Sequence, residues 1–215
     1  DSEVRFFIGV FLLCALIGTW VLHGAPGGVG AGWGTPFRDA AFTCASIMTT
    51  TGFCTADYGA WPLVLHPMLI LLMLMGGCAG STTGALKVSR IQVMGKALAR
   101  EIRLFMQPQA VIRVKLGKKF IEDDLLRSIL GFILLYVLVM LVGMFALIPF
   151  VPDMATAGSA AIACMGNVGP GFGGVGPTGN YAAIPGGGQV ILTGLMLAGR
   201  LELYTLLAIF MPAFW

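Results

Sequence analysis

One unit occurs twice in this chain, and it consists of a Gly-bearing loop placed between apolar helical segments. Three sequence blocks recur in the same order, 117 positions apart for the first block and 123 apart for the other two. They are MTTTGF (48–53), ADYGAWP (56–62) and LMLMGG (72–77) in copy one, and MGNVGP (165–170), GNYAAIP (179–185) and LMLAGR (195–200) in copy two. Paired helices joined by a short Thr/Gly loop are what an ion pore requires, so this repeat constrains the chain more than any single motif.

The apolar segments are typical of a membrane protein. Of the 215 residues, 57% are hydrophobic and 11% charged, and the mean hydropathy of +0.89 is too high for a water-soluble domain. Residues 6–22 and 129–151 carry no charge and reach or approach the ~20 residues of a spanning helix. Two more apolar runs begin at Pro62 and Gln189. Shorter apolar runs, which favour re-entrant helices, lie at 39–49 and 154–166.

The predicted fold class is an all-α membrane protein built from tandem repeats of helix, re-entrant pore loop and helix, of the potassium-channel-like type. Each copy is expected to contain a spanning helix, a re-entrant helix, a Gly-bearing loop, a return strand and a second helix. The helices and loops are expected at 5–24, 37–49, 50–58 and from 62 in copy one, and at 124–150, 154–166, 167–181 and from 186 in copy two. The corresponding domains are a first repeat at 1–104, a cytoplasmic linker or hairpin at 105–123, and a second repeat at 124–215.

Positive charge is concentrated between the two copies. By the positive-inside rule the basic segment 87–127 is cytoplasmic, and both Gly-bearing loops face outside. Because each copy contributes an even number of spans, the copies are parallel repeats related by an axis along the membrane normal. Lys87 and Arg90 are expected to snorkel to the cytoplasmic face. Ten of the thirteen basic residues lie in this segment: Lys87, Arg90, Lys96, Arg100, Arg103, Arg113, Lys115, Lys118, Lys119 and Arg127.

Part of the basic segment has the pattern of a small surface hairpin. Residues 110–116 alternate in side-chain character, and Gly117 suits a turn. A docking site for a cytosolic partner and a solvated basic linker are both consistent with this pattern. The chain begins at Asp1 without a signal-peptide pattern, and we interpret it as a fragment.

The two loops carry incomplete versions of a potassium-filter pattern. In filters of the TVGYG type, rings of backbone carbonyls replace the hydration shell of potassium. Thr51-Gly52-Phe53 and Val168-Gly169 each keep the central Gly of that pattern. A Gly after a short helix is more often a C-cap, but its recurrence at matched positions between paired helices favours a filter.

The segment Gly76 to Gly84 (GGCAGSTTG) interrupts the second helix of copy one. A phosphate-binding P-loop is excluded, because no Gly-Lys-Ser/Thr follows and the segment lies in the membrane layer. Two interpretations stay open at this point. One is a simple kink at a Gly pair, and the other is a mobile polar loop beneath the filter.

Arg200 favours the mobile loop. It occupies the position of Gly77 in the other copy, about midway along the apolar run from Gln189 to Trp215. A charge there costs ~2.5 to 3.5 kcal/mol on insertion scales, so the side chain must face a cavity or a partner. On a helix, Glu202 would point away from it. We expect Arg200 to contact carbonyls or hydroxyls of the 76–84 loop, and pairing for packing alone is the alternative.

Taken together, these motifs resemble the Trk/Ktr/HKT superfamily of potassium-uptake proteins, and most closely its TrkH-type pore subunits. The segments that carry the resemblance are TTTGF (49–53), GGCAGSTTGALKVSR (76–90), GNVGPGF (166–172) and AGRLE (198–202). They correspond to the last two of the four helix-loop-helix repeats with which that family surrounds one pore. The resemblance implies that a missing N-terminal half, or a second copy, must complete the filter.

The resemblance also assigns roles to individual residues. The filter would bind potassium through main-chain oxygens of six residues: Thr50, Thr51, Gly52, Asn167, Val168 and Gly169. The direct metal ligands among them would be the oxygens of Thr50, Thr51, Asn167 and Val168. The gate would comprise Gly76, Gly77, Gly80, Ser81, Thr82, Thr83, Gly84 and Arg200. Pro170 replaces an aromatic residue of TVGYG and puts the upper ion site of the second loop in doubt. No covalent cofactor is implied, only potassium as the ligand.

The partners and location are likewise implied by the resemblance. They are a homodimer, a cytosolic nucleotide-binding regulatory subunit (TrkA-like) contacting the basic stretch 96–119, and the lipid of a bacterial inner membrane. No nucleic acid partner is expected.

The predicted function is uptake of potassium through a channel-like pore. The alternative is a sodium- or proton-coupled secondary cation transporter, in which the loops are occluded sites. An enzyme is not expected, because the sequence has no HExxH or GxSxG motif and no paired intramembrane carboxylates. A purely structural scaffold would not need two Gly-bearing re-entrant loops.

Overall fold

The computed structural model describes residues 2–25, 32–107, 109, 113–117, 119–201 and 203–205. In this part of the chain the helices are α1 Ser2–Gly24, α2 Gly34–Met48, α3 Leu65–Leu74, α4 Val88–Met106, α5 Asp123–Leu147, α6 Met154–Met165 and α7 Gly186–Arg200. Strands β1 (Lys115–Leu116) and β2 (Lys119–Phe120) form a short antiparallel hairpin between α4 and α5. The predicted all-α class is confirmed.

Two helices are long and apolar enough to cross a membrane, α1 and the extended α5, which continues as a 3-10 turn to Phe150. Asp123 and Asp124 lie in the first turn of α5, where the partial positive charge of the helix end favours carboxylates. Pro149 lacks an N–H and lies in the 3-10 turn that ends the helix. Large apolar side chains on both helices face outward, with Leu13 58% and Leu134 70% exposed.

The two short predicted helices are present as α2 and α6. Helix α2 packs against α1 and α3, and α6 packs between α5 and α7. Asp153 caps α6, because its carboxylate accepts from the backbone N–H of Thr156 at 2.6 Å. The buried face of α6 consists largely of alanines, such as Ala157 and Ala160, and small side chains let neighbouring helices approach closely.

The second helix of each copy differs from the prediction in a specific way. In copy one the helix is broken as expected, with 75–87 lying between α3 and α4. In copy two the predicted continuous helix through Arg200 is wrong, because α7 ends at Arg200 with Leu201 as its C-cap. A basic residue in a last helical turn interacts favourably with the partial negative charge there, which suits Arg200 better than a helix centre. Residues 206–215 lie outside the described residues.

The predicted return strands are absent from 53–57 and 170–180. The chain instead returns through irregular backbone and 3-10 turns at Tyr58–Ala60, Gly173–Val175 and Tyr181–Ala183. The physical reason lies in the sequence of the second return, which is dense in Gly and Pro, residues that weaken strand pairing.

The two copies share their cores. Val168 and Phe172 of copy two are buried in the apolar cluster formed mainly by α1, α2 and α3. In the opposite direction, Leu86 is buried in the cluster formed by α5, α6 and α7, against which Leu74 also packs. The repeats are therefore interlocked at the level of their loops.

The predicted hairpin turn at Gly117 is present, with φ +60 at that glycine. Val114 is buried against Val93 and Ala97 of α4 and Leu126 of α5. The hairpin is thus packed onto two helices instead of being a solvated linker. The predicted positions 110–112 and 118 lie outside the described residues.

Candidate functional site

The loops after α2 and α6 have the same backbone conformation. Thr50 and Gly52 have φ values of +53 and +77, and their counterparts Asn167 and Gly169 have +56 and +108. In each loop, two residues are therefore in the left-handed region, and the single residue between them, Thr51 or Val168, has negative φ. Thr50 is β-branched, a type that rarely takes positive φ, and strained backbone of this kind is concentrated at functional sites.

Each helix ends in a Schellman motif, which places the Gly outside the cap. The N–H of Thr50 donates to Ile47 O at 3.0 Å, and that of Thr51 to Ser46 O at 2.9 Å. Copy two repeats both bonds, Asn167 to Cys164 at 3.0 Å and Val168 to Ala163 at 2.9 Å. The left-handed cap positions are thus Thr50 and Asn167. Gly52 and Gly169 lie two residues further on, so helix termination does not explain them.

In the two loops, the backbone N–H groups have hydrogen-bond partners and the carbonyl oxygens named below have none among the described residues. Their N–H groups bond back to the helix ends, whereas the structure records no donor, within its described residues, to the carbonyl oxygens of Thr50, Thr51, Asn167 or Val168. Irregular backbone at membrane depth needs its carbonyls satisfied by protein, water or a cation. These four carbonyls are those that the sequence analysis assigned to potassium.

The two loops lie directly against each other. A Cβ atom at Gly52 would collide with the carbonyl oxygen of Val168 and would lie 3.1 Å from Cδ of Pro170. Gly52 therefore has two independent reasons to be glycine, its positive φ and this contact between copies.

The 76–84 segment is an ordered loop and not a kink. Its ends are held together by bonds from Gly76 N to Leu86 O (2.8 Å) and from Leu86 N to Leu74 O (3.1 Å). Inside the loop, the Thr83 hydroxyl accepts from Gly77 N at 2.8 Å and contacts the Ser81 hydroxyl at 2.7 Å. The loop thus closes on itself through its own hydroxyls.

This loop and α7 both contact the start of the Gly-bearing loop that follows α6. A Cβ atom at Gly84 would collide with Gly166 O, and one at Gly199 would collide with Met165 O. Asn167 Nδ2 also donates to Met196 O of α7 at 3.3 Å. The gate residues predicted from the sequence are therefore brought into contact with the predicted filter.

Two cationic side chains hold the 76–84 loop. Arg200 donates to the carbonyl of Thr82, as expected. Lys87 Nζ donates to the carbonyls of Ser81 at 2.6 Å and Thr83 at 2.7 Å, contacts that the prediction of snorkelling to the cytoplasmic face did not include. Lys87 directly precedes α4, and its side chain folds back over the loop.

A cavity of about 340 Å³ lies beside the loop. Besides loop residues and Arg200, it is lined by Lys87, Arg90, Phe132 and Tyr136. The guanidinium of Arg90 stacks over the ring of Phe132 at 3.9 Å, a cation–π contact. Three basic residues, Lys87, Arg90 and Arg200, thus line one cavity beside the 76–84 loop.

Sequence reasoning missed Lys87 and Tyr181 as parts of the site. Tyr181 Oη donates to Gly169 O at 2.6 Å. The repeat pairs Tyr181 with Tyr58, and this pairing was the available signal, but it does not predict which atom the hydroxyl meets.

Comparison with known proteins decides the family. Residues 31–215 match the family model TrkH, described as a cation transport protein. The chain belongs to the TrkH family. Its resemblance to potassium-uptake proteins is thereby confirmed, and so is its character as a membrane protein.

Relatives of this TrkH-family chain carry the names of potassium transporters. It is 39% identical over 217 residues to the Trk system potassium uptake protein TrkH of Salmonella typhimurium, covering 100% of the chain and 44% of that protein. For TrkG of Escherichia coli K12 the identity is 30%, with 100% and 43% covered. The crystal structure of the potassium transporter TrkH from Vibrio parahaemolyticus matches with a TM-score of 0.89 and 36% identity, covering 100% of this chain and 45% of that one. The chain thus spans less than half the length of these relatives.

Proposed function

We propose that this TrkH-family chain forms half of a potassium-uptake pore with a backbone-carbonyl selectivity filter. The observation that carries the proposal is the paired alternation of positive φ at 50/52 and 167/169, with N–H groups bonded to the helix ends. Potassium would be bound by main-chain oxygens of Thr50, Thr51, Asn167 and Val168, which replace its hydration shell. No enzymatic step and no covalent cofactor are required.

The gate is proposed to be the 76–84 loop with Arg200 and Lys87. The loop contacts the second filter loop through Gly84, and two cations are bonded to its carbonyls. Positive charges beneath a filter repel a passing cation, since unit charges close together interact strongly wherever water is scarce. Flux would require the loop and its two cationic partners to move aside.

The remaining parts of the assembly are proposed from the family. Coverage of 44% of the TrkH relative supports a pore completed by further repeats from the rest of the polypeptide. We also propose a homodimer, a TrkA-like regulatory subunit at the basic stretch 96–119, and an inner-membrane location with 87–127 cytoplasmic.

The experiment is Gly52→Ser in the complete polypeptide, with rubidium and sodium uptake measured in cells. The added side chain would meet Val168 O and disturb two carbonyl sets, so selection of potassium over sodium should weaken by about tenfold or more. Gly117→Ser is the matched control, because Gly117 also has positive φ (+60) but lies in the hairpin turn, where an added Cβ would meet only Ser2 Oγ at 3.4 Å. Unchanged selectivity in Gly52→Ser would remove the filter assignment.

A further inference from the structure

The carbonyl of Gly169 differs from the other carbonyls of the filter loops. It accepts a 2.6 Å hydrogen bond from the hydroxyl of Tyr181, whose 3-10 turn lies on the return segment. Its counterpart in the first loop, the carbonyl of Gly52, has only the thiol of Cys54 at 3.6 Å. Thiols are weak donors, so among the described residues the Gly52 carbonyl accepts no strong hydrogen bond, whereas the Gly169 carbonyl is held by one.

Pro170 removes one possible hydrogen-bond anchor from the peptide group that contains the Gly169 carbonyl. The peptide group between Gly169 and Pro170 has no N–H, because proline lacks one. It cannot be anchored to the protein by an amide hydrogen bond of the kind that Thr51 and Val168 make. Its carbonyl is the one strong hydrogen-bonding group left, and Tyr181 engages it.

The first copy contains a natural comparison for Tyr181. Tyr58 has the same place in the repeat and likewise begins a 3-10 turn, and in each turn the preceding side chain, Asp57 or Asn180, accepts a backbone N–H. Yet the Tyr58 hydroxyl is buried and has no hydrogen-bond partner among the described residues. Its ring packs edge-on against Phe172 of the other copy, with centroids 5.3 Å apart.

We infer that Tyr181 is a positioning residue for ion selectivity, which holds the Gly169 carbonyl away from the ion path. This inference rests on the proposed filter. The outer end of the filter is then asymmetric, with Gly52 contributing an oxygen and Gly169 withheld. The spacing differs between the copies as well, because Tyr181 follows Gly169 by twelve positions and Tyr58 follows Gly52 by six.

The test compares Tyr181→Phe with Tyr58→Phe in the complete polypeptide, each of which removes one hydroxyl from an equivalent position. Tyr181→Phe frees the Gly169 carbonyl, and potassium over sodium permeability should fall by about five- to tenfold, the factor expected for one hydrogen bond. Tyr58→Phe removes a hydroxyl that bonds nothing described, so its permeability ratio should stay within about twofold of the unmodified protein. Equal ratios in the two variants would overturn the inference.

If Gly52→Ser alters selectivity while Tyr181→Phe does not, the filter stands and the role of Tyr181 falls. If neither variant alters selectivity, the filter itself falls.

Discussion

At the scale of single residues, the 76–84 loop is held by two cations that come from different helices. Lys87 bonds the carbonyls of Ser81 and Thr83, and Arg200 bonds that of Thr82. Hydrogen bonds from charged donors are roughly twice as strong as neutral ones. Three successive carbonyls are thus held by two charged side chains, which fix the conformation of the loop.

Replacing Lys87 with Met is therefore expected to raise potassium flux. The variant keeps the length of the side chain but loses two charge-assisted bonds, and rubidium uptake should rise by about tenfold at equal protein level. Arg200→Ala should act in the same direction. Lys96→Met is the matched control, because Lys96 also donates a 2.6 Å bond to a carbonyl, that of Lys115, but at the hairpin. Equal uptake in Lys87→Met and Lys96→Met would contradict the role of Lys87.

At the scale of elements, the start of the loop after α6, at Met165 and Gly166, lies between α7 and the 76–84 loop. Gly199 of α7 faces the carbonyl of Met165, and Gly84 faces that of Gly166. Both approaches are backbone to backbone, and a side chain at either position would force the elements apart. Glycine at these crossings therefore lets α7 and the 76–84 loop pack closely against the loop that follows α6.

Gly199→Ala should destabilise the protein by about 1–3 kcal/mol, because the new Cβ would overlap the Met165 carbonyl. Thermal unfolding of the purified protein in detergent measures this as a lower midpoint. Gly194→Ala on the same helix is the control, since nothing lies within 4 Å of a Cβ there. An unshifted midpoint for Gly199→Ala would mean that α7 does not press on the loop.

The same scale shows what the sequence could predict. Charge-free runs located α1 and α5, and Gly-rich segments located the breaks, because these depend on local composition. The position of the candidate filter loops was predictable from their repeated Gly. The left-handed conformation of Thr50 was not predictable, because a β-branched residue disfavours that conformation locally. The Schellman motif at the end of α2 imposes it. The contacts of Lys87 and Tyr181 arise from tertiary packing, which leaves no periodic pattern in the sequence from which they could be predicted.

At the scale of the whole molecule, the proposed orientation in the membrane rests on the positive charge of segment 87–127. The exposed thiol of Cys54 lies beside Gly52 on the proposed outer side, and Cys78 lies in the 76–84 loop on the proposed inner side. An impermeant thiol reagent applied outside intact cells should label Cys54 and not Cys78. Cys54→Ser should abolish this labelling, and labelling of Cys78 from outside would reverse the proposed topology.

The rate of this labelling should depend on pH in a defined direction. Partial burial, and secondly the nearby charge of Asp57, raise the pKa of the Cys54 thiol above its ordinary value of 9.0. Because only the thiolate reacts, Cys54 should react slowly at pH 8, and its rate should still be rising at pH 9. A rate that levels off below pH 9 would contradict this environment.

The central claim concerns where the ion binds, and rubidium tests it most directly. In a crystal structure of the complete protein in rubidium chloride, anomalous density should lie between the two filter loops. We predict that the ion there is coordinated by main-chain oxygens of Thr50, Thr51, Gly52, Asn167 and Val168, without the carbonyl of Gly169. Rubidium bound elsewhere, or held by side chains, would contradict the account.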